Sequence, residues 1–222
     1  MYDFPVYVRP FVYTPPTDSL CLIAETKDYL LVDKPAGLLS VPGKTEPDCL
    51  EARVQSYCPD ALTIHRLDMA TSGLMIFAKT KHAQRHLGLQ FEKRQTIKSY
   101  LADIAGVPRS NSGRINLPIW TDWPHRPRQM IDFEKGRPAI TDWIVTESGR
   151  NSTRVCLHPL TGRSHQLRLH MLCLGHPIIG DQLYAPDEVF QQSQRLHLHA
   201  HSLKFREPTG GDWVKFKSPC PF

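Results

Sequence analysis

No two cysteines of the chain are spaced as a CxxC pair. The six that occur, Cys21, Cys49, Cys58, Cys156, Cys173 and Cys220, are scattered over 222 residues. They offer neither a zinc-ribbon spacing nor a dense disulfide scaffold, so they are read as reduced, mostly buried thiols of a cytoplasmic protein. An apolar stretch of membrane-spanning length is missing. The opening MYDFPVYVRPFVYTPP lacks the apolar core of a signal peptide. Internal repeats, low-complexity segments and long linkers are absent, which excludes solenoids and leaves no second-domain boundary. A large excess of one charge is absent too. Lys and Arg number 27 against 22 Asp and Glu, a net +5 that permits a nucleic-acid partner without demanding one.

The apolar share, 41%, is that of a globular protein. Residues 1–18, with Pro5, Pro10, Pro15 and Pro16 among aromatics, are expected to form an extended arm, and residues 19–222 one domain. LCLIAET and YLLVDKP read as strands, PDCLEARVQSYC as a short helix, and GLMIFAKT as a buried strand. In KHAQRHLGLQFEKR, Ala83, Leu87 and Phe91 recur every four residues, which predicts a helix. IKSYLADIAGV, GRINLPI, AITDWIVTES and TRVCLHPL follow as strands. TGRSHQLRLHMLCLG is a second helix, with Thr161 as candidate cap and Gly175 as its stop, and RLHLHAHSLKF and DWVKFKSP close the chain as strands. Strand runs with two isolated helices, lacking regular alternation, predict an α+β fold with a largely antiparallel sheet.

Four clusters could carry chemistry. In IHRLDMATSG, Asp68 precedes a small-residue turn into the buried strand. Extended backbone there puts Arg66 and Asp68 on one face and His65 and Leu67 on the other. Taken alone, Asp68 reads as a turn residue accepting backbone hydrogen bonds. In GRSHQLRLH, His165 and Arg168 are three apart on a helix; an inward arginine needs a carboxylate, and Asp68 is a candidate, against the alternative of a solvated basic helix. The stretch LPIWTDWPHRPRQM interleaves Trp120 and Trp123 with His125, Arg126 and Arg128, as suits a loop that stacks on bases and touches phosphates, or an ordinary proline-rich surface loop. His197, His199 and His201 alternate in HLHAH and would share one strand face. Three in line make a poor tetrahedron, so ordinary strand histidines are favoured over a metal site.

HRLDMATSG resembles the signature of the RluA family of RNA pseudouridine synthases. The resemblance extends through VDKPAGLLSVPG, IKSY, DWPHRPRQ, GRPAITDW, HPLTGRSHQLRLHMLCLGHPIIGD and LHAHSL, leaving out only the arm and the last residues. It implies the pseudouridine synthase fold, a mainly antiparallel mixed sheet with flanking helices and loops around a central active-site cleft. Without a basic S4-type extension the chain looks most like the compact branch, with substrates in 23S rRNA, tRNA anticodon stem-loops, or both.

The implied reaction breaks the N1–C1′ bond of a uridine, turns the base and rejoins it through C5. No redox change or hydrolysis occurs, so neither cofactor nor metal is called for. By resemblance Asp68 is the essential carboxylate, attacking C1′ or taking the 2′ proton. Arg168 pairs with it, and Tyr100 lies against the uracil to take the C5 proton. Arg66 fills the space of the flipped base, and His65, Arg126, Arg128, Arg163 and His165 are candidate RNA contacts. The expected partner is RNA, with no DNA or membrane, for a monomer in the cytoplasm. Two other readings stand beside this one: an RNA-binding module keeping the site as a relic, and a metal-dependent hydrolase using the three alternating histidines.

Overall fold

A computed structural model describes residues 4–222. In chain order it has β1 (Cys21–Glu25), β2 (Tyr29–Lys34), α1 (Leu50–Tyr57), β3 (Leu62–Thr63), β4 (Ser72–Ala78), α2 (Lys81–Glu92), β5 (Ile97–Ala105), β6 (Ser112–Asn116) and β7 (Ile119–Thr121). A 3-10 turn (Trp123–His125) leads to β8 (Gln129–Ile131), β9 (Ile140–Ser148), β10 (Ser152–Pro159), α3 (Gln166–Cys173), α4 (Asp187–Phe190), β11 (Leu198–Arg206) and β12 (Trp213–Lys217). The class is α+β. The predicted strands are present, as are the helices expected in PDCLEARVQSYC, KHAQRHLGLQFEKR and TGRSHQLRLHMLCLG. β3, the β7–β8 pair and α4 are too short to leave a periodic signal.

Contacts divide the chain into two units, where the sequence reading expects one body after residue 18. The first unit is Ser99–Leu198 with the described part of Met1–Phe11, and the second is Val12–Lys98 with His199–Phe222. The expected arm is therefore shared between them, and its first three residues lie outside the described ones.

In the second unit β4 is buried along its whole length, as an apolar run without alternation requires. β2 pairs with it antiparallel from Tyr29 opposite Ala78 to Lys34 opposite Gly73, and β1 pairs with β2. β11 joins β4 in parallel at Ser72 and Gly73, and β12 follows β11 antiparallel. Gly73 is where a side chain could not fit: its φ is +114° and a Cβ would sit 2.6 Å from the Ala200 nitrogen. α2, capped by Thr80 accepting the Ala83 N–H, lays Ala83 and Leu87 inward. Its Leu87 packs with Tyr29, Leu31, Leu74, Ile76, Leu203 and Phe205 as the core.

The first unit carries the antiparallel order β5–β10–β9–β6, with Tyr100 opposite Leu157 and Arg114 opposite Asp142. The hairpin β7–β8 stands beside it. Ile119, Ile131, Ala139, Leu169 and Tyr184 form a core cluster there.

All six cysteines are free, but only Cys49 is buried; Cys21 is exposed and the rest are partly accessible. The expectation of mostly buried thiols is corrected to that extent. No helix among the described residues is long and apolar enough to cross a membrane.

Candidate active site

Asp68 sits between two pinned peptides of the second unit. Before it, Ser40 Oγ donates to the Leu67 carbonyl at 2.7 Å and accepts the Leu67 N–H at 3.1 Å. After it, the Met69 carbonyl accepts the Gly37 N–H and the buried Lys34 ammonium, both at 2.9 Å. The same ammonium donates to the carbonyls of Pro35 and Leu38. Asp68 closes a turn through its own carbonyl, which accepts the Thr71 N–H at 3.0 Å. Its side chain is partly buried, that of Leu67 is buried, and Arg66 is exposed. The turning is done by the backbone of Asp68. A carboxylate on so constrained a backbone can act without first reorganising. Lys34 and Ser40 were not singled out in the sequence; VDKPAGLLS was legible only as a resemblance.

His65 is placed inward. Its Nε2 accepts the Ile76 N–H at 3.2 Å, and its ring stacks on Phe91 with centroids 4.4 Å apart. Burial, with a smaller contribution from the Lys98 charge, pushes its pKa down to about 3, so the ring is neutral. It holds a strand to a helix, which differs from the expected RNA contact.

In the first unit Tyr100 lies on β5 and is partly buried. Arg168, buried in the first turn of α3, makes a two-pronged pair with Asp181: Nε to Oδ2 at 2.7 Å and Nη2 to Oδ1 at 2.5 Å. Burial opposes ionisation of Asp181, yet the Arg168 guanidinium and the Leu183 N–H hold its carboxyl below the usual range. Sequence reasoning expected a carboxylate for this arginine and offered Asp68. The carboxylate in this fork is Asp181, thirteen residues along the chain.

Thr161 is not the cap of α3. The helix begins at Gln166, and the residue before it, His165, has φ 53° and makes no capping bond. Thr161 instead donates to Gln166 Oε1 at 2.7 Å, an oxygen that also accepts the Arg163 N–H, so the two side chains fold the turn. His165 Nδ1 lies 2.8 Å from the Tyr184 hydroxyl. At the other end Gly175, φ +88°, stops the helix as expected. Its N–H reaches the Leu172 carbonyl and that of His176 reaches Met171, a Schellman ending.

The remaining expected contacts separate. Arg126 is exposed, stacked 4.9 Å from the Trp123 ring. Arg128 is buried instead, donating to the Pro5 carbonyl and lying 5.3 Å from the Tyr184 ring, so its expected phosphate contact differs from where it sits. Arg163 donates through Nε to the Pro138 carbonyl. The three alternating histidines do not converge on one point. His197 pairs with Asp103, whereas His199 bonds Ser72 and Ser218, and His201 bonds the Ser218 carbonyl. No cluster of three or more metal-binding side chains occurs among the described residues.

The fold is that of a pseudouridine synthase. The human RNA pseudouridylate synthase domain containing 1 structure matches with a TM-score of 0.77 and 28% identity, over 97% of this chain and 87% of its own. The human domain containing 4 structure, 24% identical with a TM-score of 0.73 over 90% and 88%, shares the fold. The sequence model of the RNA pseudouridylate synthase family matches residues 28–172. Curated relatives named dual-specificity RNA pseudouridine synthase RluA come from Vibrio cholerae, 47% identical over 95% of this chain and 87% of theirs, and Pasteurella multocida, 48% over 95% and 98%. One from Escherichia coli K12 is 46% identical over 95% and 98%. The chain belongs to the RluA family of RNA pseudouridine synthases: it is an isomerase whose substrate is RNA.

Proposed function

We propose that the enzyme converts uridines in both 23S rRNA and a tRNA anticodon stem-loop, as a cytoplasmic monomer. The support for two substrates is the name carried by relatives 46% to 48% identical over 95% of this chain. Asp68, Tyr100 and Arg168 are the proposed catalytic residues, and the observation that carries the reading is the clamped backbone on both sides of Asp68. The target uridine is extruded at a cost of a few kcal/mol, less in a loop. Exposed Arg66, two residues before the carboxylate, takes the vacated place. Asp68 attacks C1′, or removes the 2′ proton, as N1 leaves. After the base turns, C5 bonds C1′ as the Asp68–C1′ bond breaks, or, on the other route, as the 2′ proton returns to C2′; Tyr100 takes the C5 proton directly or through water and N1 gains one, so atoms balance. Arg168, held by Asp181, supplies positive charge to the reaction, with Arg126, Arg163 and His165 as contacts to RNA.

The test uses a 23S rRNA fragment and an anticodon stem-loop, with carbodiimide derivatisation and primer extension as readout. Wild-type protein is expected to produce new stops in both. Asp68→Asn should bind the same RNAs with unchanged affinity and yield no stops; stops from that variant overturn the assignment of Asp68. A stop in one RNA only reduces the proposal to single specificity.

A further inference from the structure

Beside the proposed catalytic arginine lies a pair of residues with no part in the mechanism above. Asp181 and Tyr184 are both buried, three apart in one loop of the first unit. Asp181 does two things with one carboxylate. It grips Arg168 from the side, and its Oδ1 accepts the N–H groups of Leu183 and Tyr184 at 2.9 and 3.1 Å, shaping the turn that places Tyr184. The arm pins the same loop from outside. Arg9 donates to the carbonyls of Gln182 and Ala185 at 2.5 and 2.8 Å and pairs with Asp187.

Tyr184 holds the residue at the start of α3. Its oxygen accepts the Gln129 N–H at 2.8 Å, which leaves its proton to be donated. Two acceptors are in reach: His165 Nδ1 at 2.8 Å and the Gln129 carbonyl at 3.5 Å. Donation along the shorter contact has the imidazole accept at Nδ1, its own proton then lying on Nε2. His165 also has a left-handed backbone, φ 53°, a strained conformation for a residue with a Cβ that persists where surroundings over-determine it. The Tyr184 ring further lies 5.1 Å from the Arg168 guanidinium, so one side chain touches both donors.

We propose that Asp181 and Tyr184 are positioning residues of the synthase: Asp181 fixes the orientation of the Arg168 guanidinium, and Tyr184 fixes His165 as its Nε2–H tautomer, so both meet RNA already oriented. This rests on the reading that Arg168 and His165 serve the RNA reaction.

Tyr184→Phe separates the role from packing, because the ring and its place against Arg168 remain while the hydroxyl goes. Long-range proton–nitrogen NMR of the histidine rings, assigned with His165→Asn, should show the Nε2–H form in wild type and a mixture in Tyr184→Phe. Single-turnover pseudouridine formation on the anticodon stem-loop should slow about ten-fold with RNA affinity held, the size expected from loss of orientation. Asp181→Asn should slow it more, with Asp181→Glu recovering part; if Asp181→Asn does not fold, the Tyr184→Phe measurements decide. A Tyr184→Phe enzyme with the wild-type tautomer or the wild-type rate overturns the proposal. Absence of product from wild type on this RNA counts against the substrate reading instead, and the tautomer, measured without RNA, then decides on Tyr184.

Discussion

Ser40 shows how one hydroxyl can govern a neighbouring carboxylate. It gives a hydrogen bond to Leu67 and takes one from it, so Ser40→Ala leaves a buried N–H and a buried C=O without that partner. The expected cost is about 1–3 kcal/mol, measurable by urea unfolding. Because Leu67 precedes Asp68, the variant should also react more slowly in single turnover while binding RNA as wild type does. Equal loss of affinity and rate would place Ser40 in general stability alone. The signature around Asp68 was readable in sequence because its residues are contiguous. Ser40, 27 positions before Leu67, carries no local mark, since a serine in a loop is chemically ordinary until something folds against it.

At the scale of elements, two glycines do different work. Gly175 ends α3 in left-handed backbone with open space around a hypothetical Cβ, so Gly175→Ala should cost only about 1–2 kcal/mol. For a chain of this size that lowers the melting temperature by about 2–8 °C. Gly73 combines positive φ with backbone 2.5 Å from where a Cβ would sit. Gly73→Ala should therefore melt well below Gly175→Ala, because β4 and β11 must part to admit it. Equal melting of the two variants would refute this ranking. α2 was legible because a four-residue apolar stripe is a local pattern, and β4 because its apolar run is continuous. The start of α3 was misread at Thr161: a threonine before a helical run looks like a cap, but the Gln166 side chain engages it instead.

For the molecule as a whole, acid should be destabilising well above the carboxylate range. Burial pushes His65 down to about 3 and His170 down to about 4, while an unfolded histidine titrates near 6.5. The unfolded chain thus takes up protons first. Stability is full above about pH 6.5 and falls below it, by at most about 1.4 kcal/mol per pH unit for each ring, until the folded values are reached. Asp103 extends the loss. Its carboxyl, partly buried but held at about 2 by His197 and Arg154, contributes stability present above the ordinary carboxylate range and lost as pH falls through that value. Denaturant unfolding between pH 7.5 and 5 should show the slope, and His65→Phe, which keeps the stack on Phe91, should flatten it. An unchanged slope in that variant would remove His65 from the account.

Local order decided much here: strand and helix positions, the α+β class and the family signature all follow from neighbours in the chain, because periodicity and turn chemistry act over a few residues. Folding decided the partners. Arg168 needed a counter-charge, and its sequence context could not rank Asp68 against Asp181, since a carboxylate's value to a buried guanidinium depends on distance and desolvation. The inward turn of His65 and Arg128, the tyrosine behind His165 and the clamp on Asp68 are likewise matters of which groups share a buried space, and only the folded chain brings those groups within hydrogen-bonding reach.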